Sequence, residues 1–356
     1  MEIVPFSRII GQDRAVLLMK RAMARDKMPH AYLFVGIHGV GKTTTALALA
    51  QALNCLDPVE GEGCGKCSVC RQLAGGNFPD LAIVEPDGQA IKIEQIRELN
   101  RSFSYRPLSG RYRVTILRRA EAMTEEAANS FLKTLEEPPR ENILILGVTE
   151  PLDLLPTIVS RCQKVSFRPI PPALIAKWLQ EEKGIEAERA RVLANLAEGS
   201  LGRALGMEEE GFLEKREGCL DALFRIPFLP HDELLDLARG RPAGGRKSGG
   251  DRSGIEELEP AEVLALWKTC FRDLILLKTG AEKDRLIHGD FWGRLKSFSE
   301  NYTIHALIRG VHILDRSERE LRRGRNLDLM MENTILALKR LSDRPGRGVP
   351  LGDNIT

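Results

Sequence analysis

The chain has 356 residues, and at roughly 150 residues per domain it holds two or three domains, each able to bury a core. Lys plus Arg number 52 against 50 Asp plus Glu, a net charge of +2 that argues against a whole-protein polyanion binder and leaves only local basic patches. With 43% hydrophobic and 29% charged residues, and no apolar run near the ~18 residues of a membrane span, the composition fits a soluble globular protein. Met1-Glu2-Ile3-Val4-Pro5 is not a basic segment leading into an apolar one, so no secretion signal is expected. Seven cysteines in such a chain point to a reducing cytoplasm and to metal rather than disulfides.

Strand and helix patterns alternate through the first 170 residues. Ala31 to Val35 is a short apolar run ending at a glycine-rich turn, and an Ala/Leu-rich helix pattern follows from Thr43 to Asn54. Arg113 to Leu117 and Asn142 to Val148 read as further strands. Between them Thr124 precedes Glu125 and Glu126, an N-cap with acidic residues in the first turn, and that helix should stop at Pro138-Pro139. Such alternation predicts an α/β domain with a parallel sheet covered on both faces. After Pro169-Ile170-Pro171-Pro172 the pattern is helix only: Ala173 to Leu205, with a turn at Gly199-Ser200-Leu201-Gly202, then helix again from Met207. Arg239 to Gly254, rich in Gly, Arg and Ser, is predicted to be a mobile surface loop, and the tail after Asp343 to be frayed. The last helix, Asn326 to Leu341, carries a broad apolar face of Leu327, Leu329, Met330, Met331, Ile335, Leu336 and Leu338 suited to subunit packing. The expected domains are 1–169, a small helical domain at 170–207, and a C-terminal helical domain at 208–356.

Gly36-Ile37-His38-Gly39-Val40-Gly41-Lys42-Thr43 matches the phosphate-binding pattern G-x-x-x-x-G-K-[ST], with a strand before it and a helix after it. The glycines turn backbone N–H groups toward phosphate oxygens, and the following helix presents its N-terminus to the same anion. Lys42 is expected to reach the β- and γ-phosphates and Thr43, followed by Thr44, to offer its hydroxyl to Mg²⁺. Hydrolysis also needs a carboxylate at the end of a neighbouring strand, but Arg113-Val114-Thr115-Ile116-Leu117 runs into Arg118-Arg119, and guanidiniums cannot ligate a cation. Glu121 lies nearby and reads as a solvated helix residue. The chain is expected to bind ATP or ADP without turning it over, with Mg²⁺ in doubt.

Cys55, Cys64, Cys67 and Cys70 form C-x8-C-x2-C-x2-C. Four thiolates on tight glycine-containing turns suit a tetrahedral structural zinc, whereas a ferredoxin-type run would need a cysteine at Ala74. Cys162, Cys219 and Cys270 stand apart and read as core residues.

These blocks resemble, in this order, the clamp-loader branch of the AAA+ ATPases, which includes subunits of bacterial DNA polymerase III. The carriers are Ile10-Gly11-Gln12, Pro29-His30-Ala31-Tyr32-Leu33-Phe34 leading into the phosphate loop, the four-cysteine insertion, the stretch from Ala127 to Pro139, and Leu155-Pro156-Thr157-Ile158-Val159-Ser160-Arg161-Cys162. The resemblance implies an AAA+ P-loop domain with a zinc module at 55–70, a helical lid and an all-helical collar, in a five-membered ring that loads a sliding clamp onto primed DNA. It implies that Arg161 is an arginine finger completing a neighbour's ATP site in trans, that Thr149 is the first sensor, and that Ile10-Gly11-Gln12 and His30 lie around adenine. Arg203 lies near the second sensor, but Gly199 to Arg203 is one residue longer than the motor pattern. Motor subunits carry an acidic pair where Arg118-Arg119 stand, so the resemblance implies a cytoplasmic stator within a polymerase holoenzyme. An ATP-hydrolysing motor subunit, or another AAA+ ATPase acting on DNA, is the alternative.

From Arg97 to Arg119 there are seven arginines and one acid, Glu98. On one face they would meet phosphate backbone; spread around a helix they would be ordinary surface. Arg316 to Arg325, interleaved with Glu318 and Glu320, reads as a charged collar surface.

Overall fold

The computed structural model describes residues 3–103, 105–239, 255 and 258–342. Nearly all of the predicted loop at 239–254, and the tail after Asp343, lie outside the described residues. The chain divides into two compact units, Met1–Leu205 and Gly206–Thr356. No described helix is long and apolar enough to cross a membrane.

In the first unit, five strands form one parallel sheet: β1 (Ala31–Val35), β2 (Leu81–Val84), β3 (Arg113–Leu117), β4 (Asn142–Val148) and β5 (Gln163–Ser166), in the order β2-β3-β4-β1-β5. β1 lies inside the sheet between β4 and the edge strand β5, with Val35 beside Val148 of β4 and Ser166 of β5. β1, β3 and β4 are nearly continuous apolar runs because helices cover both faces. Before and between them come α1 (Asp13–Ala24), α2 (Lys42–Asn54), α3 (Ser68–Ala74), α4 (Ile93–Ser102), α5 (Glu125–Glu136) and α6 (Pro156–Val159). On one face Leu33 and Leu146 pack with Ile96 of α4, Phe131 of α5 and Ile158 of α6. Phe34, the next residue of β1, meets the Phe167 ring at 4.9 Å. The Thr124 hydroxyl accepts from Ala127 N at 3.2 Å, the predicted cap, and α5 stops at Glu136 before the two prolines. Three helices close the unit: α7 (Pro172–Lys183), α8 (Ala187–Leu196) and the start of α9 (Leu201–Glu209).

Asp80, fully buried just before β2, accepts from the backbone N–H groups of Leu108, Ser109 and Gly110 at 2.7 to 2.8 Å, with the Arg113 guanidinium 3.4 Å away. Burial pushes this carboxyl upward, but the three N–H groups and Arg113 outweigh it and hold Asp80 below the usual carboxylate range.

The second unit is helical: α10 (Phe212–Arg225), α11 (His231–Ala238), α12 (Pro260–Lys278), α13 (Trp292–Ser299), α14 (Ile304–Arg322) and α15 (Leu327–Lys339). Trp267 is its largest fully buried side chain, and its Nε1 donates to Cys219 O at 3.1 Å. A buried polar network lies beside it. Arg216 donates to His288 Nδ1 at 3.2 Å and pairs with Asp290, His288 N donates to Asp273 at 2.7 Å, and His288 Nε2 lies 2.9 Å from Thr269 Oγ1. The expected apolar face of α15 is mostly consumed inside its own unit. Met330, Met331, Ile335 and Leu338 are buried, and Leu327 and Leu329 remain exposed at 40% and 59%.

Candidate nucleotide site and cysteine cluster

The phosphate loop leaves the C-terminal end of β1, where the Gly36 N–H donates to Val148 O at 3.1 Å. Gly41 caps α2 without any side-chain hydrogen bond, so the N–H groups of the first turn face outward for an anion. Gly39 has φ 70°, which favours glycine, and a Cβ there would stand 3.0 Å from Gly202 Cα. Gly202 N in turn donates to Gly39 O at 2.9 Å, so the first turn of α9 rests directly on the loop. Gln12, almost fully buried, bonds Val40 O at 3.3 Å and both backbone groups of Arg168, tying the loop to the segment after β5. Lys42 Nζ donates to Gly36 O, and to Ile37 O at 3.0 Å. Burial lowers its pKa, and the charge of Glu121 acts in the opposite direction.

A cleft of about 820 Å³ opens above the loop. His38, Gly39, Gly41, Lys42, Thr43 and Thr44 line its polar end, while Ile10, Ile170, Trp178 and Leu205 line an apolar part able to take a flat base. Gly36 stands at the root of the loop. Thr149, just after β4, brings its hydroxyl within 3.4 Å of His38 Nε2. Arg118 and Arg119 also line the cleft, with Glu85 from the end of β2. Arg118 pairs with Glu85.

Several expectations are corrected. Glu121 is not a freely solvated residue: it sits on a 3-10 turn with one carboxylate oxygen buried and unpartnered, and its charge reaches Lys42. His30 precedes β1, at the opposite end of the strand from the phosphate loop, and does not line the cleft. Arg203 is directed to Glu198 at 2.9 Å and is likewise absent from the cleft wall. Of the seven arginines between Arg97 and Arg119, three are ion-paired: Arg111 with Asp26, Arg113 with Asp80 and Arg118 with Glu85. Trp178 and Glu85 escaped sequence reading, because nothing local marks a residue that reaches the cleft only through the fold.

Arg161 follows α6, away from this chain's own cleft. Its guanidinium donates to Thr157 O at 3.0 Å and pairs with Glu136 at 2.9 Å, and its side chain stays partly exposed.

Cys55 ends α2, and Cys64, Cys67 and Cys70 come from the following turn and α3. The four sulfurs lie within 4.8 Å of one another. Zinc–sulfur bonds of about 2.3 Å in a tetrahedron separate the sulfurs by about 3.8 Å. The Cys55–Cys67 and Cys55–Cys70 separations are 3.9 and 3.6 Å, so the donor set fits that ion. N–H groups of Cys64, Cys67 and Cys70 point at sulfurs of Cys55, Cys64 and Cys67, at 3.2 to 3.4 Å, which favours thiolate. Burial pushes the Cys67 thiol upward, but the N–H groups of Leu56 and Cys70 and the neighbouring thiols outweigh it and lower it to about 6.

A phosphate loop after an interior strand of a parallel sheet in this order, with helices closing on the loop, defines a P-loop domain of the AAA+ class. A family model described as DNA polymerase III, delta subunit, matches residues 11–171. DNA polymerase III subunit delta' of Bacillus subtilis is 30% identical over 328 residues, spanning 92% of this chain and 96% of that protein. The chain belongs to the DNA polymerase III clamp-loader family. Subunit tau of the same organism is 27% identical over 97% of this chain, which covers 63% of tau; tau of Escherichia coli is 33% identical over 210 residues, 32% of its length. Among solved structures, a DNA polymerase III gamma subunit-related protein of Thermotoga maritima aligns over 91% of this chain and 98% of its own, with 21% identity and a TM-score of 0.44.

Proposed function

We propose that this chain is the stator of a clamp loader: it holds ATP or ADP without hydrolysing it and donates Arg161 to the ATP site of a neighbouring subunit. The observation that carries the reading is the pair Arg118-Arg119 in the wall of an otherwise complete nucleotide cleft, at the strand end where a hydrolysing site needs a metal-binding carboxylate. Arg161 supports it from the other side, since it is partly exposed, paired with Glu136 and outside its own cleft. A guanidinium delivered in trans stabilises charge on the transferring phosphoryl group and can raise turnover by ~10³–10⁵. Partners are then other loader subunits in a five-membered ring, the sliding clamp, and primed DNA reached through the complex, with Arg97 and Arg101 on the exposed side of α4 as phosphate contacts. The four cysteines hold structural zinc, and residues 170–207 and 208–356 act as lid and collar.

The test is ATPase activity of the reconstituted loader with DNA and clamp. Arg161→Ala sharply lowers turnover and Lys42→Ala changes it little. Loss with Lys42→Ala and indifference to Arg161→Ala establish instead an ATP-hydrolysing motor, a reading that Glu121, with one carboxylate oxygen buried and its charge acting on Lys42, favours.

A further inference from the structure

We infer that this cleft takes its nucleoside di- or triphosphate free of a divalent cation, with Arg118 and Arg119 supplying the positive charge that Mg²⁺ supplies in a hydrolysing site. The inference rests on the reading that the chain holds a nucleotide.

The donor set does not fit Mg²⁺. Among the described residues two carboxylates line the cleft, Glu85 and Glu182, and both are engaged, Glu85 by Arg118 and Glu182 by Arg8. Glu121 is outside the cleft wall and acts on Lys42 instead. What remains for a cation is the Thr43 hydroxyl, while Mg²⁺ in phosphate sites calls for at least one carboxylate beside the phosphates.

Arg118 and Arg119 line the same cleft as the phosphate loop. A Cβ placed on Gly147 would touch Leu117 O and Lys42 Cε, at 3.6 and 3.7 Å. The end of β3 and the phosphate-binding lysine therefore border the same spot, and Arg118 and Arg119 are the next two residues. Arg118 is held at one nitrogen by Glu85. Arg119 is exposed, lines the cleft, and has no ion-pair partner among the described residues. Its φ of 52° is left-handed, an uncommon conformation for a long side chain and one that clusters at functional sites. A planar guanidinium donates two parallel hydrogen bonds to a phosphate, so two of them with Lys42 match a free di- or triphosphate in charge and geometry. Magnesium bound to the nucleotide in solution withdraws charge from these groups and does not tighten binding.

The test is equilibrium binding of N-methylanthraniloyl-ADP and -ATP to the full chain, followed by fluorescence in excess EDTA or in Mg²⁺. The expected dissociation constants agree to on the order of two-fold, and Arg119→Ala weakens binding in EDTA about ten-fold. Arg119 is exposed, so this change leaves the core alone; Arg119→Lys, which keeps the charge, recovers part of the loss. Arg118→Asp combined with Arg119→Glu converts the site to one that binds only with Mg²⁺. Binding by the parent that disappears in EDTA, or indifference to Arg119→Ala, overturns the inference and leaves nucleotide holding intact. Absence of binding in both conditions overturns nucleotide holding itself.

Discussion

Replacing Asp80 with alanine removes the hub that holds the loop from Leu108 to Gly110. The wild-type carboxylate is fully buried, accepts three N–H bonds of 2.7 to 2.8 Å and faces Arg113. Three orphaned donors at about 1–3 kcal/mol each set an upper bound, but Leu108 and Ser109 are exposed, so water can replace part of what they lose. Arg113 loses its counter-charge while keeping the carbonyls of Ser102, Tyr105 and Arg106. Taking the cost of breaking a buried charged pair as the guide, the loss is about 3–5 kcal/mol. With a urea slope of roughly 2.5 kcal/mol per molar, the midpoint of the first unit's unfolding falls by about 1–2 M. Circular dichroism during urea titration reads this shift. Asp80→Asn keeps the shape and removes the charge, which gives a pH control. The folded carboxyl lies below its unfolded value, so its stabilisation is complete above ~4 and is lost as pH falls through the folded value. The gap between parent and Asp80→Asn should therefore be constant from neutral pH down to ~5 and close in stronger acid. A midpoint shift under about 0.3 M for Asp80→Ala would refute the reasoning and mean that water, not the carboxylate, organises the loop.

Two further outcomes follow from the buried polar groups. Metal analysis of the purified chain should give zinc in equal amount to protein. Cys67→Ser, or prolonged chelation, should remove it and lower the unfolding temperature of the first unit by at least about 5 °C; an unchanged transition would mean that the thiols are not ligands. Burial, reinforced by Arg216 and Arg272, holds His288 well below the usual histidine range. Unfolded, the ring gains its proton near ~6.5, so the second unit's stability should be full above that value and decline below it. His288→Gln, which offers an acceptor to Arg216 and a donor to Thr269, should flatten the thermal-unfolding profile between pH 7.5 and 5.5, whereas equal slopes in both proteins would assign the decline elsewhere.

The three central strands could be read from sequence because a strand buried on both faces must be apolar along its whole length. β2 and β5 escaped because they are four-residue edge strands; in β5 only Val165 is buried, too little for any period to show. The phosphate loop and the cysteine cluster are contiguous or nearly so, and their chemistry is written in spacing. What needed coordinates is what the fold brings from afar: Glu85 to Arg118, Trp178 to the apolar part of the cleft, and Glu121 to Lys42. The face of α15 shows the converse error. Its apolar width is plain in sequence, but whether a helix covers that width with its own neighbours or leaves it for a partner is a property of the packed unit.

Helix α2 joins two sites that are separate in chemistry. The phosphate loop leads into its N-terminus and its last residue precedes Cys55, so a rod of about 20 Å has the phosphate loop at one end and the four-cysteine cluster at the other. Oxidation of the sulfurs would therefore damage more than a local turn. A thiol carried to sulfenic acid or a disulfide can no longer complete a tetrahedron, and the end of α2 loses its anchor. Slack at that end would pass along the hydrogen-bonded backbone toward the phosphate loop. A zinc ion occupying all four thiolates would act as a chemical shield for a phosphate loop it never touches.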